Sequence, residues 1–193
     1  AYIDQPGSQI DSVIWDTGWG SWAPYPSHVP PRFEHPGLKL WWDQGIDWVD
    51  ELVRATRARG LECLWNHRVS EVDINPLPTL EEPTELMMNR MNPVKAEHPA
   101  WVIKAWWWQG TWNYAVPGVR EYNVAILREL IEKYDLDGIQ LDFARHIPCL
   151  PVGRQWELRD GVTEFLRIMR TVLREGGTKR NRPYLLAARM PKS

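Results

Sequence analysis

Apolar side chains recur along this chain in two rhythms. Short runs of strand length occur at Ile10-Asp11-Ser12-Val13-Ile14-Trp15-Asp16, Leu61-Glu62-Cys63-Leu64-Trp65-Asn66, Gly138-Ile139-Gln140-Leu141-Asp142-Phe143 and Pro183-Tyr184-Leu185-Leu186-Ala187-Ala188-Arg189. Between these runs apolar residues return at helical spacing: Ile46, Val49, Leu52 and Val53 within residues 43–59, then Val119, Tyr122, Ile126, Leu127, Leu130 and Ile131 after Pro117. A third stripe, Val162, Phe165, Leu166, Met169, Val172 and Leu173, follows Asp160. Pro117 suits a first helical turn, Asp160 an N-cap, and Gly60 and Gly176-Gly177 helix stops. Four strands thus alternate with three helices. That order predicts a parallel α/β sheet built from crossover units, with the C-terminal ends of its strands gathered on one side.

The strand at 138–143 carries the strongest candidate chemistry. Its alternation puts Ile139, Leu141 and Phe143 on one face and Gln140 and Asp142 on the other. In parallel α/β folds sites are built at the C-terminal strand ends, so Asp142 is a catalytic candidate. Other polar groups collect at the same side. Asp16 precedes the Thr17-Gly18-Trp19-Gly20 loop, where it either lines a site or caps its own turn. His67 reads as a hydrogen-bonded structural histidine or as a ligand contact. Arg68 calls for a carboxylate or for substrate oxygens, and Asp142 is a candidate partner. Asp137, at the strand's entry, reads as a turn or capping residue on the opposite, stability-bearing side.

Two long connections separate the regular elements. Residues 21–37 are proline-rich and aromatic and predict an irregular but ordered loop. Residues 75–110 predict a substrate-covering insertion, with Met87, Met88 and Met91 as a small apolar cluster beneath it.

Composition narrows the partners. With 23 basic and 25 acidic residues interspersed and a net charge of -2, neither nucleic acid nor an anionic membrane is indicated. No apolar run reaches the ~18 residues of a membrane span. The two cysteines, Cys63 and Cys149, define neither a disulfide framework nor a metal site and read as small buried or loop thiols. The 13 tryptophans, clustered at Trp15/Trp19/Trp22, Trp41/Trp42/Trp48 and Trp101/Trp106/Trp107/Trp108/Trp112, serve either as packing and partner surface or as stacking faces for sugar rings.

Leu136-Asp137-Gly138-Ile139-Gln140-Leu141-Asp142-Phe143-Ala144-Arg145, preceded by Val119-Arg120-Glu121-Tyr122, resembles the signature of the glycosyl-hydrolase-like TIM-barrel family, the family-10-like glycoside hydrolases of bacteria. Leu186-Ala187-Ala188-Arg189-Met190-Pro191 and Arg68-Val69-Ser70-Glu71 are similar to that family's motifs at neighbouring strands, and the resemblance covers nearly the whole chain. It implies a partial (β/α)8 TIM barrel with about four parallel strands and long loops at its C-terminal face, as one incomplete domain over residues 1–193 lacking the first and last barrel strands. It implies a glycosidase acting on a poly- or oligosaccharide. Asp142 would be the catalytic carboxylate, Glu71 a second acid, and Arg68, Arg145 and Arg189 fixed positive charges. Asp16, Trp19, His67, Asp73 and His146 complete the candidate substrate contacts. Ser70-Glu71 and Asp73 depart from the family, which has Asn-Asp and commonly a histidine at these places.

Two-carboxyl hydrolysis needs a nucleophile or base and a proton donor. Asp142 suits the first role, with Arg68 or Arg145 stabilising its charge, and Glu71 in a tryptophan-rich setting suits the second. No cofactor and no metal is implied, and the sequence fixes no oligomeric state or location, although a periplasmic or secreted protein would suit a polysaccharide. The alternatives are a glycan-binding barrel without catalysis and a metal-assisted hydrolase using Asp16, His67, Asp142 and His146.

Overall fold

A computed structural model of the chain describes residues 2–16, 21–72, 91–104 and 109–191. In chain order the elements are β1 (Ser12–Trp15), α1 (Pro36–Trp42), α2 (Trp48–Arg57), β2 (Glu62–Arg68), α3 (Pro93–Glu97), β3 (Val102–Lys104), β4 (Gln109–Trp112), α4 (Pro117–Lys133), β5 (Gly138–Asp142), α5 (Asp160–Lys179) and β6 (Leu185–Arg189). Strands β1, β2, β5 and β6 form one parallel sheet in that order, and β3 and β4 form a separate antiparallel pair.

Alternation divides the sheet into two chemically different faces. Trp15, Trp65, Ile139 and Leu186 stand in one cross-strand row. With Cys63 and Leu141 they join Val53 of α2, Leu127 and Leu130 of α4, and Phe165 and Met169 of α5 in a single apolar core. The opposite face holds Ile14, Leu64, Asn66, Gln140 and Leu185. Leu64 and Asn66 are buried at its middle, while Ile14 and Leu185 on the outer strands are each 43% exposed. Four parallel strands with helices packed on one face are the arrangement of part of a (β/α)8 barrel, as the sequence predicts.

Strand β5 is gripped at its entry. A Cβ on Gly138 would lie 2.6 Å from the Leu185 carbonyl oxygen, so only glycine lets β6 approach. Asp137 stitches the neighbouring strands: its N–H donates to the Cys63 carbonyl (2.7 Å), its carbonyl accepts from Leu185 N–H (2.8 Å), and its carboxylate accepts from Cys63 N–H (2.8 Å). Arg57 (2.7 Å) and Arg182 (3.3 Å) also pair with that carboxylate, and Arg57, Arg180 and Arg182 converge on Asp135.

Several element boundaries differ from the sequence expectation. The first long helix starts at Trp48 rather than near residue 43, because Gly45 turns the chain at φ +69° and Asp47 caps Val49 and Asp50. Asp160 is the first residue of α5 rather than its cap; Arg159 holds the cap position without a side-chain bond. Gly176 and Gly177 do not stop α5, which runs on to Lys179. They permit close packing instead: a Cβ would lie 3.1 Å from the Tyr184 ring and 3.1 Å from the Arg182 carbonyl oxygen, respectively.

Within the long connections, α1, α3 and the β3–β4 pair were not anticipated. Met91 is buried, while Met87 and Met88 lie outside the described residues. The loop after β1 is tied to α4 through Glu129, which accepts from Ser27 Oγ (2.5 Å) and His28 N–H (2.7 Å).

Of the two readings of His67, hydrogen-bonded structural histidine or ligand contact, its surroundings fit the first. It falls on the helix-covered face of β2, 2% exposed, with Nε2 3.0 Å from Asn123 Oδ1 of α4; Asn123 in turn donates to the Val119 carbonyl (2.8 Å). Strand parity turns it away from Arg68 and Asp142, so it packs rather than contacts substrate.

Two outcomes follow from these contacts. Gly138→Ala should lower stability by about 1–3 kcal/mol, the usual cost of overpacking, read as a drop in urea midpoint at unchanged slope. Burial pushes the His67 imidazole down to about 4 from an ordinary value of 6.5. Between those values the unfolded chain binds the extra proton, so stability present above pH 6.5 should decline by roughly 1 kcal/mol per unit as the pH falls toward 4. Urea midpoints across this window should show the decline, and His67→Gln should flatten part of it.

Candidate active site

Strand register brings three charged residues into one row at the C-terminal end of the sheet: Arg68 of β2 opposite Asp142 of β5, and Asp142 opposite Arg189 of β6. Asp142 is 0% exposed. Its Oδ1 accepts from the backbone N–H groups of Ala144 (2.8 Å) and Arg145 (3.1 Å), which shapes the turn after the strand. Its Oδ2 accepts from Arg189 Nη1 at 2.9 Å. A buried carboxylate left without such donors would cost several kcal/mol, so these bonds hold both the charge and its geometry.

The ion partner of Asp142 is therefore Arg189 rather than Arg68. Arg68 lies 3.2 Å from Asp16 Oδ2 and 3.6 Å from Glu71 Oε2, bridging the ends of β1 and the loop after β2. Arg145 is exposed and reaches Asp142 through its backbone N–H rather than its guanidinium.

Glu71 is buried, and among the described residues charged groups gather around it. Arg68 stands beside it, His146 Nδ1 lies 3.9 Å from Oε1, and its carbonyl accepts from Lys95 Nζ at 3.0 Å. His146 is also buried. Burial first, then the positive charges of Arg145, Arg68 and Lys95, outweigh the opposing effect of Asp142 and push its imidazole down to about 4, so it is neutral near pH 7.

The described part of the site thus joins Asp16, Arg68, Glu71, Asp142, His146 and Arg189. His67 lies on the other face, and Trp19 and Asp73 lie outside the described residues. The four-residue metal set of the sequence reading is not assembled, because His67 turns toward α4; among the described residues no three His, Cys, Asp or Glu side chains converge as metal ligands.

Sequence reasoning missed Lys95 altogether. It is fully buried on α3, with Nζ 4.5 Å from the Trp112 ring centroid. A lone lysine on a five-residue helix carries no signal of burial. Asn66 and Gln140 form the row beneath Arg68 and Asp142, and Gln140 was legible from alternation alone. Both cysteines are free, Cys63 buried and Cys149 partly so, in agreement with their reading as ordinary thiols. Among the described residues no helix is long and apolar enough to cross a membrane.

The profile of the glycosyl hydrolase-like 10 family matches residues 8–149. Comparison with curated proteins gives no significant match. Among solved structures the chain is similar to alpha-L-fucosidase isoenzyme 2 from Paenibacillus thiaminolyticus, at 18% identity and a TM-score of 0.51, with 91% of this chain and 26% of the fucosidase covered. It is similar to an alpha-galactosidase from Lactobacillus brevis at 16% identity and a TM-score of 0.44, covering 72% of this chain and 18% of that one. It is also similar to a noncanonic maltogenic alpha-amylase from Thermotoga neapolitana at 15% identity and a TM-score of 0.45, covering 72% and 27%. At such identities the likeness to the fucosidase is one of fold, and this chain spans only 26% of that protein's length. The profile match takes in two of the three motif-bearing strand ends, at Arg68 and at Asp142, and most of the chain: the protein belongs to the glycosyl hydrolase-like 10 family.

Proposed function

We propose that the chain forms part of the catalytic barrel of a glycoside hydrolase acting on a poly- or oligosaccharide, with Asp142 as nucleophile or base. The observation that carries this is the position of Asp142, a buried carboxylate at the C-terminal end of β5 with arginines in register on both sides. A carboxyl group whose oxygens accept from Arg189 and from two turn amides is placed to act as the attacking partner of a two-carboxyl mechanism.

Glu71 is the second carboxyl group, with His146 Nδ1 3.9 Å from its Oε1. Arg68, Arg189 and Asp16 offer donors and an acceptor to sugar hydroxyls, and chemistry of this kind draws on no cofactor. A glycan-binding barrel without catalysis is the rival, favoured by the full enclosure of Asp142.

Incubating the intact protein with a panel of bacterial and plant polysaccharides should release reducing ends, and Asp142→Asn should slow that release by roughly 10²- to 10⁴-fold. Equal release by both would remove Asp142 from catalysis; binding without release would favour the rival. Arg189→Met should lower kcat about tenfold or more by freeing the Asp142 carboxylate, with partial recovery in Arg189→Lys, read from kcat and KM separately.

A further inference from the structure

We infer that Trp156 is a carbohydrate-stacking platform on the loop that rises from the end of β5, a subsite apart from the Asp142 row. The inference rests on the carbohydrate-active reading of the chain. Trp156 is 80% exposed, the highest exposure recorded for a large apolar side chain among the described residues.

The loop beneath it is firmly built. Phe143 and Leu150 are buried, the Cys149 carbonyl accepts from Tyr114 N–H (3.0 Å), and a Cβ on Gly161 would lie 2.4 Å from the Tyr114 carbonyl oxygen. Turn bonds from Arg154 N–H to the Pro151 carbonyl and from Leu158 N–H to the Arg154 carbonyl, each 3.0 Å, close the segment that bears the indole. A well-anchored loop that spends its one tryptophan on solvent forgoes the burial such a ring normally gains.

The ring is also oriented. The Arg159 guanidinium lies 4.3 Å from its centroid, and Arg159 Nη1 donates to the Trp156 carbonyl at 2.6 Å. One indole face is thereby occupied and the other left open, with the exposed Arg154–Glu157 ion pair (2.6 Å) on the same turn. A single open aromatic face beside charged hydrogen-bonding groups suits one sugar ring, whose C–H face stacks while its hydroxyls meet carboxylate and guanidinium. An apolar protein partner would call for a broader hydrophobic surround.

The test is affinity electrophoresis of the intact protein through gels containing soluble β-glucan, xylan, pullulan or fucoidan. At least one polysaccharide should retard the wild type, Trp156→Ala should weaken that affinity about three- to tenfold, and Trp156→Tyr, which keeps a stacking ring, should retain most of it. Unchanged thermal midpoints would verify that the variants are folded. Equal retardation of wild type and Trp156→Ala overturns the platform while leaving the hydrolase reading intact. A change in oligomeric state on size exclusion without a change in retardation overturns it in favour of a protein contact. Absence of retardation in every gel overturns it too, and the release of reducing ends then decides separately whether the hydrolase reading survives.

Discussion

A single buried carboxylate imposes most of the order at the candidate site. Removing Asp142 from water is tolerable only where donors replace the lost hydration, and the penalty for failing to do so is several kcal/mol against a typical domain stability of about 5–15. Three donors meet the requirement: two turn amides and the Arg189 guanidinium. The amides fix how the chain leaves β5, and the guanidinium fixes where β6 must end. Because alternate side chains take opposite faces, seating Asp142 at the rim also commits Ile139 and Leu141 to the core under α4 and α5. The chemistry of the rim and the packing of the core are therefore one constraint.

The same strand carries an aspartate at each end, and their surroundings separate structure from function. Asp137 sits among Arg57, Arg182 and the Cys63 amide, and Asp135 draws together the arginines around it. Those charges satisfy one another and stitch three strands, as expected of the stability-bearing end of a barrel. At the other end the balance is different. Arg189 pairs with Asp142 yet leaves its side chain 55% exposed, and Asp16 remains 35% exposed beside Arg68. Polar groups at this end are held in place while still within reach of a ligand.

What the sequence could and could not reveal follows from the range of the interactions involved. The two faces of β5, the alternation of strands with helices and the apolar stripes of α4 and α5 are local patterns, and they were legible. The partner of Asp142 was not, since strands on both sides present an arginine in register, and only the competing pull of Asp16 and Glu71 on Arg68 decides between them. The two readings of His67, structural histidine or ligand contact, were separable only by strand parity, which puts it on the face opposite Arg68 and beside Asn123. The glycines at 176 and 177 read as a stop, but their smallness serves the approach of Tyr184 and Arg182, a contact with no local signature. Lys95 illustrates the same limit: its burial depends on Trp112 and on the Glu71 carbonyl, each far from it in sequence.

The abundance of tryptophan suggests sugar stacking, but among the described residues most of the indoles are taken up by packing. Trp112 is fully buried, donating to Ser21 Oγ at 3.1 Å beneath the Lys95 ammonium, and Trp65 lies in the core under Tyr25. Trp101 is stacked on His98 with centroids 4.1 Å apart, and Trp15 donates to Thr56. Among the described tryptophans only Trp41, at 46%, and Trp156 are exposed. Both belong to connections that leave a strand at its C-terminal end, one after β1 and the other after β5. The count of aromatic residues thus carries little functional meaning by itself. Their distribution carries more, because among the described residues the indoles left to solvent are confined to connections that leave the sheet at the same end as Asp142.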